Sequence, residues 1–190
     1  MAHAATKYLP TLTDQERDEV GHELQATLLE LIDLSLIGKQ LHWTVVGPLF
    51  LPLHLYTEEL VSSWRALSDM VAERAVAIGF LPNGQARIIA ADSPLTPVER
   101  GAVQDYVAVR ELNRRVAEVS DHVRIRMDTL GEFDVPTQDL LISIVRVLEE
   151  QQWMLRAQFG IHVTPSPGSP HGAGDLSGKL ITASYGVPRY

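Results

Sequence analysis

Five side chains able to ligate a metal fall within one stretch of the chain: His42, His54, Glu58, Asp69 and Glu73, spaced H-x11-H-x3-E-x10-D-x3-E. The four from His54 to Glu73 lie at offsets of 0, 4, 15 and 19 residues. At about 100° per residue, these offsets return close to a single helix face. Imidazole nitrogen combined with hard carboxylate oxygen suits iron or a similar divalent cation. Taken singly, each residue has an ordinary explanation. A helical histidine is more often a satisfied polar residue than a ligand, and acidic residues four apart usually form a solvated face. The pattern of five is what argues for a metal.

The spacing also bears on assembly. Glu58 and Asp69 are eleven residues apart, about 16 Å along a helix, so one ion cannot bridge both from a single straight helix. The pairs His54 with Glu73 and Glu58 with Asp69 are, however, centred on the same point, between Ser63 and Trp64. Two copies running antiparallel about a two-fold axis there would set His54 opposite the partner's Glu73 and Glu58 opposite the partner's Asp69. An isologous dimer of this kind would build two identical shared sites. Ser62 and Ser63 are small enough for close approach at the crossing. A chance pattern on an acidic helix face is the competing explanation.

Four helical segments would position these residues. Thr13 is an N-cap candidate, with Asp14 and Glu16 in the first turn, for a helix running to about Thr44. Its apolar positions Leu24, Leu28, Leu31, Ile32 and Leu36 keep helical spacing. A turn at Gly47-Pro48 ends it. A second helix starts between Pro48 and Pro52 and stops at Gly79. The third is expected from Pro97 or Val98, carrying Val109, Leu112, Val116, Val119, Val123, Met127 and Leu130. The fourth runs from near Pro136 to Gly160 with Leu141, Ile144, Leu148, Leu155 and Phe159. The connection from Gly79 to Thr96 is long for a bundle loop. Its eighteen residues can reach about 60 Å when extended, enough to return along a helix of about 45 Å. An all-α four-helix bundle with a long crossover between the second and third helices follows. Ile88 and Ile89 suggest that part of the crossover packs on the bundle, as a short helix.

The chain of 190 residues divides into an N-terminal tail (1–12), the bundle (13–160) and a C-terminal tail (161–190). A hydrophobic fraction of 45% supplies a core, and a net charge of −8 favours cations over a broadly basic nucleic-acid surface. Cysteine is absent, which removes disulfides and thiolate ligands. No secretory h-region opens the chain, and the apolar run Leu24–Ile37 is broken by Gln25, Glu30 and Asp33. The expectation is a cytoplasmic protein with no membrane partner.

The segments KQLHWTVVGPLF, LPLHLYTEEL and SDMVAERAVAIG, with LEEQQWMLRAQF later, resemble the Dps-type mini-ferritins, the DNA-binding proteins from starved cells. The resemblance covers about residues 20–160. It implies a ferritin-like subunit, a homo-oligomer of twelve copies forming a hollow shell, and an iron-oxidising site at each two-fold interface. His42 and His54 would come from one subunit and Asp69 and Glu73 from its neighbour, with two irons per site, and Glu58 stands where the family usually has Asp or Glu. Hydrogen peroxide is the implied oxidant, two Fe(II) being consumed per peroxide. Trp43 would intercept a stray one-electron oxidant or simply pack between subunits, and Lys39 would hydrogen-bond near the site or cap a carboxylate. Glu132, Asp134 and Asp139 resemble the residues lining the family's three-fold iron-entry pores, although helix capping explains Asp134 or Asp139 equally well. Glu59 would face the interior or be solvated, and Arg74 would make an interface salt bridge. Glu19-Val20-Gly21-His22 fits the Glu-x-x-His motif of larger di-iron proteins, but those need it twice and no second copy is present. His3, His162 and His171 lie in the tails, and His122 reads as an exposed helix residue.

DNA binding in that family rests on Lys- and Arg-rich tails. Here residues 1–13 contain only Lys7, and 161–190 contain Lys179 and Arg189 against Asp175. From Pro165 to Gly178, ten of fourteen residues are Pro, Gly or Ser, the composition of a flexible or extended linker. Weak or absent DNA binding is expected, so the leading reading is a protective ferroxidase and iron store, nucleoid association being at most incidental. A DNA-compacting shell with secondary iron binding is the alternative, and a helical assembly protein with a vestigial metal site the third reading.

Overall fold

The computed structural model describes residues 9, 10 and 12–158. In chain order its elements are α1 (Asp14–Thr44), β1 (Val45–Val46), α2 (Phe50–Ala77), α3 (Ala86–Asp92), β2 (Val103–Gln104), α4 (Asp105–Leu130) and α5 (Val135–Gln158). Both tails beyond the described residues carry expectations that lie outside them, as do Phe159 and Gly160.

Helix α1 starts in a reciprocal cap. The Thr13 hydroxyl accepts from the Glu16 backbone N–H (3.2 Å), and the Glu16 carboxylate accepts from the Thr13 backbone N–H (2.7 Å). The Thr13 backbone N–H, and after it the Thr13 hydroxyl donating at 2.8 Å, hold the Glu16 carboxyl below its ordinary range. From there Val20, Leu24, Leu28, Leu31, Leu34, Ile37 and Leu41 form the buried stripe of α1. Helix α2 ends at Ala77 with Ile78 as its cap, and Gly79 follows with a left-handed φ of +89° that suits glycine. Gly79 N–H donates to Val76 (2.9 Å) and Phe80 N–H to Ala75 (2.9 Å), closing the last turn. The Phe80 side chain then lies against Gly21, where a β-carbon would stand 2.1 Å from the ring.

Helices α1 and α2 pair through the short turn after β1, and α4 and α5 pair through the turn at 131–134. The two-residue strands are parallel, Val45 opposite Val103 and Val46 opposite Gln104, which seats the start of α4 beside the end of α1. The segment 78–104 must therefore travel the length of the bundle. It does so along α1. Gln25 exchanges two hydrogen bonds with the Asn83 backbone (2.9 and 2.8 Å), Asp33 accepts from Ser93 (2.5 Å), and the buried Arg115 of α4 donates to the Thr96 and Pro97 carbonyls. The long crossover of the sequence reading is thus present, with Ile89 of α3 buried on α1.

Three details differ from expectation. Helix α4 begins at Asp105, not at Pro97 or Val98, because residues 96–104 are engaged by Arg115 and by β1. His122 is half-buried rather than exposed, its Nδ1 lying 3.2 Å from the fully buried Glu30. Glu30 also takes the Arg126 guanidinium at 2.6 Å, so a carboxylate that interrupts the apolar run is placed inside the bundle. Among the described residues no helix is long and apolar enough to cross a membrane.

Candidate metal centre

The turn between α1 and α2 brings His42, in the last turn of α1, against His54, near the start of α2. Their rings stack with centroids 3.7 Å apart and planes inclined by 19°. Each Nδ1 lies against the other residue's backbone carbonyl: His42 Nδ1 to His54 O at 2.8 Å, and His54 Nδ1 to His42 O at 3.0 Å. A carbonyl oxygen only accepts, so both Nδ1 atoms carry the hydrogen. In the neutral rings the Nε2 lone pairs are then the available donors, the arrangement that orients histidine for a metal.

Glu58, one turn beyond His54, lies beside His42. Its Oε2 is 3.4 Å from His42 Nε2, a separation suited to two donors each about 2.1 Å from a shared cation. The same carboxylate accepts a short hydrogen bond from the Lys39 ammonium. That hydrogen bond, aided by the charges of Lys39, His42 and Arg65, holds Glu58 below the ordinary carboxylate range. Lys39 Nζ also sits 5.9 Å from the Trp43 ring centroid, and Trp43 is two-thirds exposed. Lys39, His42, Trp43, His54 and Glu58 therefore form one cluster.

Asp69 and Glu73 do not join it. Both are exposed on the stripe of α2 that carries Glu58 and Ser62. Asp69 lines a shallow cleft of about 290 Å3 with Arg65 and Pro82. Among the described residues of one chain, no three His, Asp or Glu side chains are grouped to hold a metal. Ser62 is exposed as expected, but Ser63 turns inward. Its hydroxyl accepts from Gln151 (3.0 Å), while the Gln151 carbonyl accepts from the fully buried Trp64 indole (2.8 Å). This buried bridge pins the middle of α2 to α5, and isolated polar residues in the sequence give no signal of it.

Of the three pore candidates, Glu132 and Asp139 are exposed and Asp134 is buried. The Asp134 carboxylate accepts from Arg74 (2.5 Å) and Thr137 (2.5 Å), and its backbone carbonyl accepts from Gln138 (3.0 Å). It serves as the cap of α5 and as an ion-pair partner. Arg74, expected at an interface, makes this pair within its own chain and also donates to Thr137 at 2.9 Å. Glu59 is exposed. With Glu150 it adds to burial in raising the Tyr56 phenol above its ordinary range. His22 of the Glu-x-x-His motif is bonded to the Asp18 carbonyl (2.6 Å) and packs edge-on to Phe80, a local role.

With this geometry in place, comparison with known proteins is informative. The family model described as Ferritin-like domain matches residues 22–161. The DNA protection during starvation protein of Mycolicibacterium smegmatis is 35% identical over 151 residues, 78% of this chain and 81% of its own. The fine tangled pili major subunit of Haemophilus ducreyi is 33% identical over 78% of this chain and 79% of its own. Among solved structures, Mycobacterium smegmatis Dps superposes with a TM-score of 0.78 at 29% identity, covering 88% of this chain and 98% of that one.

Proposed function

Because the chain belongs to the Dps family of ferritin-like proteins, we propose that it is an iron-storing and iron-detoxifying mini-ferritin that oxidises Fe(II) at sites shared between two subunits. The observation that carries this reading is the split of the ligand set. His42 stacks on His54 and lies 3.4 Å from Glu58 where α1 meets α2, while Asp69 and Glu73 occupy the same exposed stripe of α2 further along, Asp69 about 16 Å beyond Glu58 by helix geometry. A second copy set antiparallel across that stripe would close two sites at once. The relatives' names and the ferritin-like fold support iron storage and DNA protection at the level of the family; the oxidant, the shared site and the shell are this reading's own additions.

Fe(II) is the substrate. It is taken by the Nε2 atoms of His42 and His54 and by carboxylates from both subunits, displacing the Lys39 ammonium from Glu58. Two Fe(II) ions then give up one electron each to hydrogen peroxide. The O–O bond breaks, two protons are taken up, and two waters leave. A paired two-electron step avoids hydroxyl radical, and Trp43, exposed beside His42, can quench an oxidant that escapes. Carboxylates that shift between terminal and bridging positions accommodate the harder Fe(III). The ferric product passes into the interior of a dodecameric shell, with Glu59 a candidate for nucleation. Glu132 and Asp139 are retained as pore residues, and Asp134 is assigned to structure. The setting is the cytoplasm.

Protection of DNA would then come from removing Fe(II) and peroxide. The segments flanking the bundle carry Lys7, Lys179 and Arg189 as their basic residues, too few for the phosphate neutralisation that compaction requires. The test is anaerobic loading of metal-free protein with Fe(II), followed by titration with peroxide while ferric absorbance is recorded. An end point at one peroxide per two irons, with slow reaction when oxygen replaces peroxide, is expected. Oxidation no faster than in buffer would refute the ferroxidase reading.

A further inference from the structure

Away from α2, the end of the crossover and the first turns of α4 enclose a cleft of about 530 Å3. This lies within the range of small-molecule sites, about 300–1,000 Å3. Its lining includes Arg100, Arg110, Arg114 and Arg115 against Glu99 and Glu111, a local excess of positive charge in a chain of net charge −8. These arginines are not equivalent. Arg115 is fully buried and spent: its guanidinium bonds the Thr96, Pro97 and Glu111 carbonyls and the Glu111 carboxylate (2.6 Å). Arg114 is shared between Glu111 and Glu118 at 3.4 Å each and Thr96 at 3.0 Å. Arg100 and Arg110 have no carboxylate within 4.0 Å among the described residues. Two uncompensated guanidiniums facing one cleft match a dianion, and their planar forks match phosphate oxygens.

An adjoining recess of about 670 Å3 shares the wall Pro97, Val98 and Arg100 and is lined on its far side by Leu36, Ile37, Ile89 and Leu95. Asp33, Gln40 and Ser93 also line it, with the Asp33 carboxylate accepting from Ser93 (2.5 Å), so the recess offers an apolar wall beside polar groups within reach of the basic cleft. None of the residues lining either space belongs to α2 or α5, so the exposed stripe of α2 takes no part in them.

We propose that this pair of clefts is a binding site for a small organic phosphate. The phosphate monoester sits between Arg100 and Arg110, with Arg114 at its edge, and the apolar or planar body lies in the recess beside Leu36. At neutral pH a phosphate monoester carries a charge of about −1.5 to −2, close to what the two free guanidiniums supply. A short cleft favours a small molecule over the backbone of a nucleic acid.

The test is calorimetric titration of the full-length, metal-free protein with AMP, with inorganic phosphate and with a short DNA duplex, under identical buffer and salt. AMP should bind, and inorganic phosphate should bind at least about tenfold more weakly, since it lacks a body to fill the recess. Arg100→Gln with Arg110→Gln should weaken AMP by about a hundredfold, tenfold for each arginine. Leu36 is half-exposed, so the uncharged Leu36→Ser should fold normally, weaken AMP and leave inorganic phosphate unchanged. Far-ultraviolet circular dichroism and the unfolding midpoint of each variant separate loss of binding from loss of fold. No AMP binding, or AMP binding unaltered by the arginine substitutions, would overturn the proposal. So would a duplex that depends on these arginines while AMP does not bind.

Discussion

Gly38 of α1, one turn before His42, lies against Val61 and Trp64 of α2. A β-carbon there would stand 2.6 Å from Trp64 Cζ3 and 2.7 Å from Val61 Cγ2. The indole cannot easily retreat. Trp64 is fully buried, and its N–H is held by Gln151 at 2.8 Å, which is itself held by Ser63. Gly38→Ala therefore sets two effects against each other. Overpacking a core costs about 1–3 kcal/mol, and disturbing the buried indole hydrogen bond adds up to about 1 kcal/mol. Replacing glycine by alanine within a helix returns about 1 kcal/mol. The net expectation is a loss of about 1–2 kcal/mol, read as a lower urea midpoint at fixed protein concentration, because assembly contributes to apparent stability. The same displacement would separate His42 from His54, so initial iron oxidation should fall by about tenfold, given how steeply rate depends on ångström-scale placement. Adding Val61→Ala should restore part of both losses by making room. A Gly38→Ala protein with an unchanged or raised midpoint would refute the packing argument.

Further outcomes follow from the charged interior and the pore. The Arg115 hydrogen bond holds the Glu111 carboxyl below the usual 4.5, so its stabilising contribution is complete above about that pH and is lost as pH falls through the lower folded value. Glu111→Gln should lower stability near neutrality by about 2 kcal/mol and flatten the acid side of the stability–pH curve, measured by urea melts from neutral pH downward. Asp134→Asn, which removes the charge that pairs with Arg74 and accepts from Thr137, should cost about 2 kcal/mol. Glu132→Gln with Asp139→Asn should instead slow iron uptake with the melt unchanged, and the reverse pattern in stopped-flow and melting data would exchange these roles. A gel-shift assay at about 150 mM salt should show no retention of duplex DNA, and clear retention would reinstate a DNA-compacting role.

What the sequence conveyed well was set by local chemistry. Thr13 with Glu16, the three- and four-residue spacing of α1 from Leu24 to Leu31, and the stop at Gly79 are decided within a few residues of themselves, and the structure follows them. The start of α4 was not legible, because Pro97 and Val98 look like a helix start. Only contacts with Arg115 and with Val45–Val46, far away in sequence, keep residues 96–104 extended. Nothing local marks Arg115, Glu30 or Asp134 for burial, yet all three are buried, since each finds a counter-charge on a neighbouring turn or another helix. At the candidate site, the placement of Glu58, Asp69 and Glu73 along one exposed stripe of α2 was legible from helix geometry. The mutual Nδ1–carbonyl bonds of His42 and His54 were not, because they exist only once the α1–α2 turn has closed.

Mixing complementary half-sites tests the shared centre most directly. One variant carries His42→Ala and His54→Ala, the other Asp69→Ala and Glu73→Ala, and each alone should oxidise Fe(II) no faster than buffer. Unfolded together and reassembled in equal amounts, they should regain activity, because a mixed two-fold pair joins the intact histidines of one chain to the intact carboxylates of the other. With random pairing, about a quarter of the sites are whole, and the recovered initial rate should approach that fraction of wild type. Recovery to that level means the centre is built between chains. Mixed assemblies, verified by mass, that remain as inactive as the two parents would contradict it.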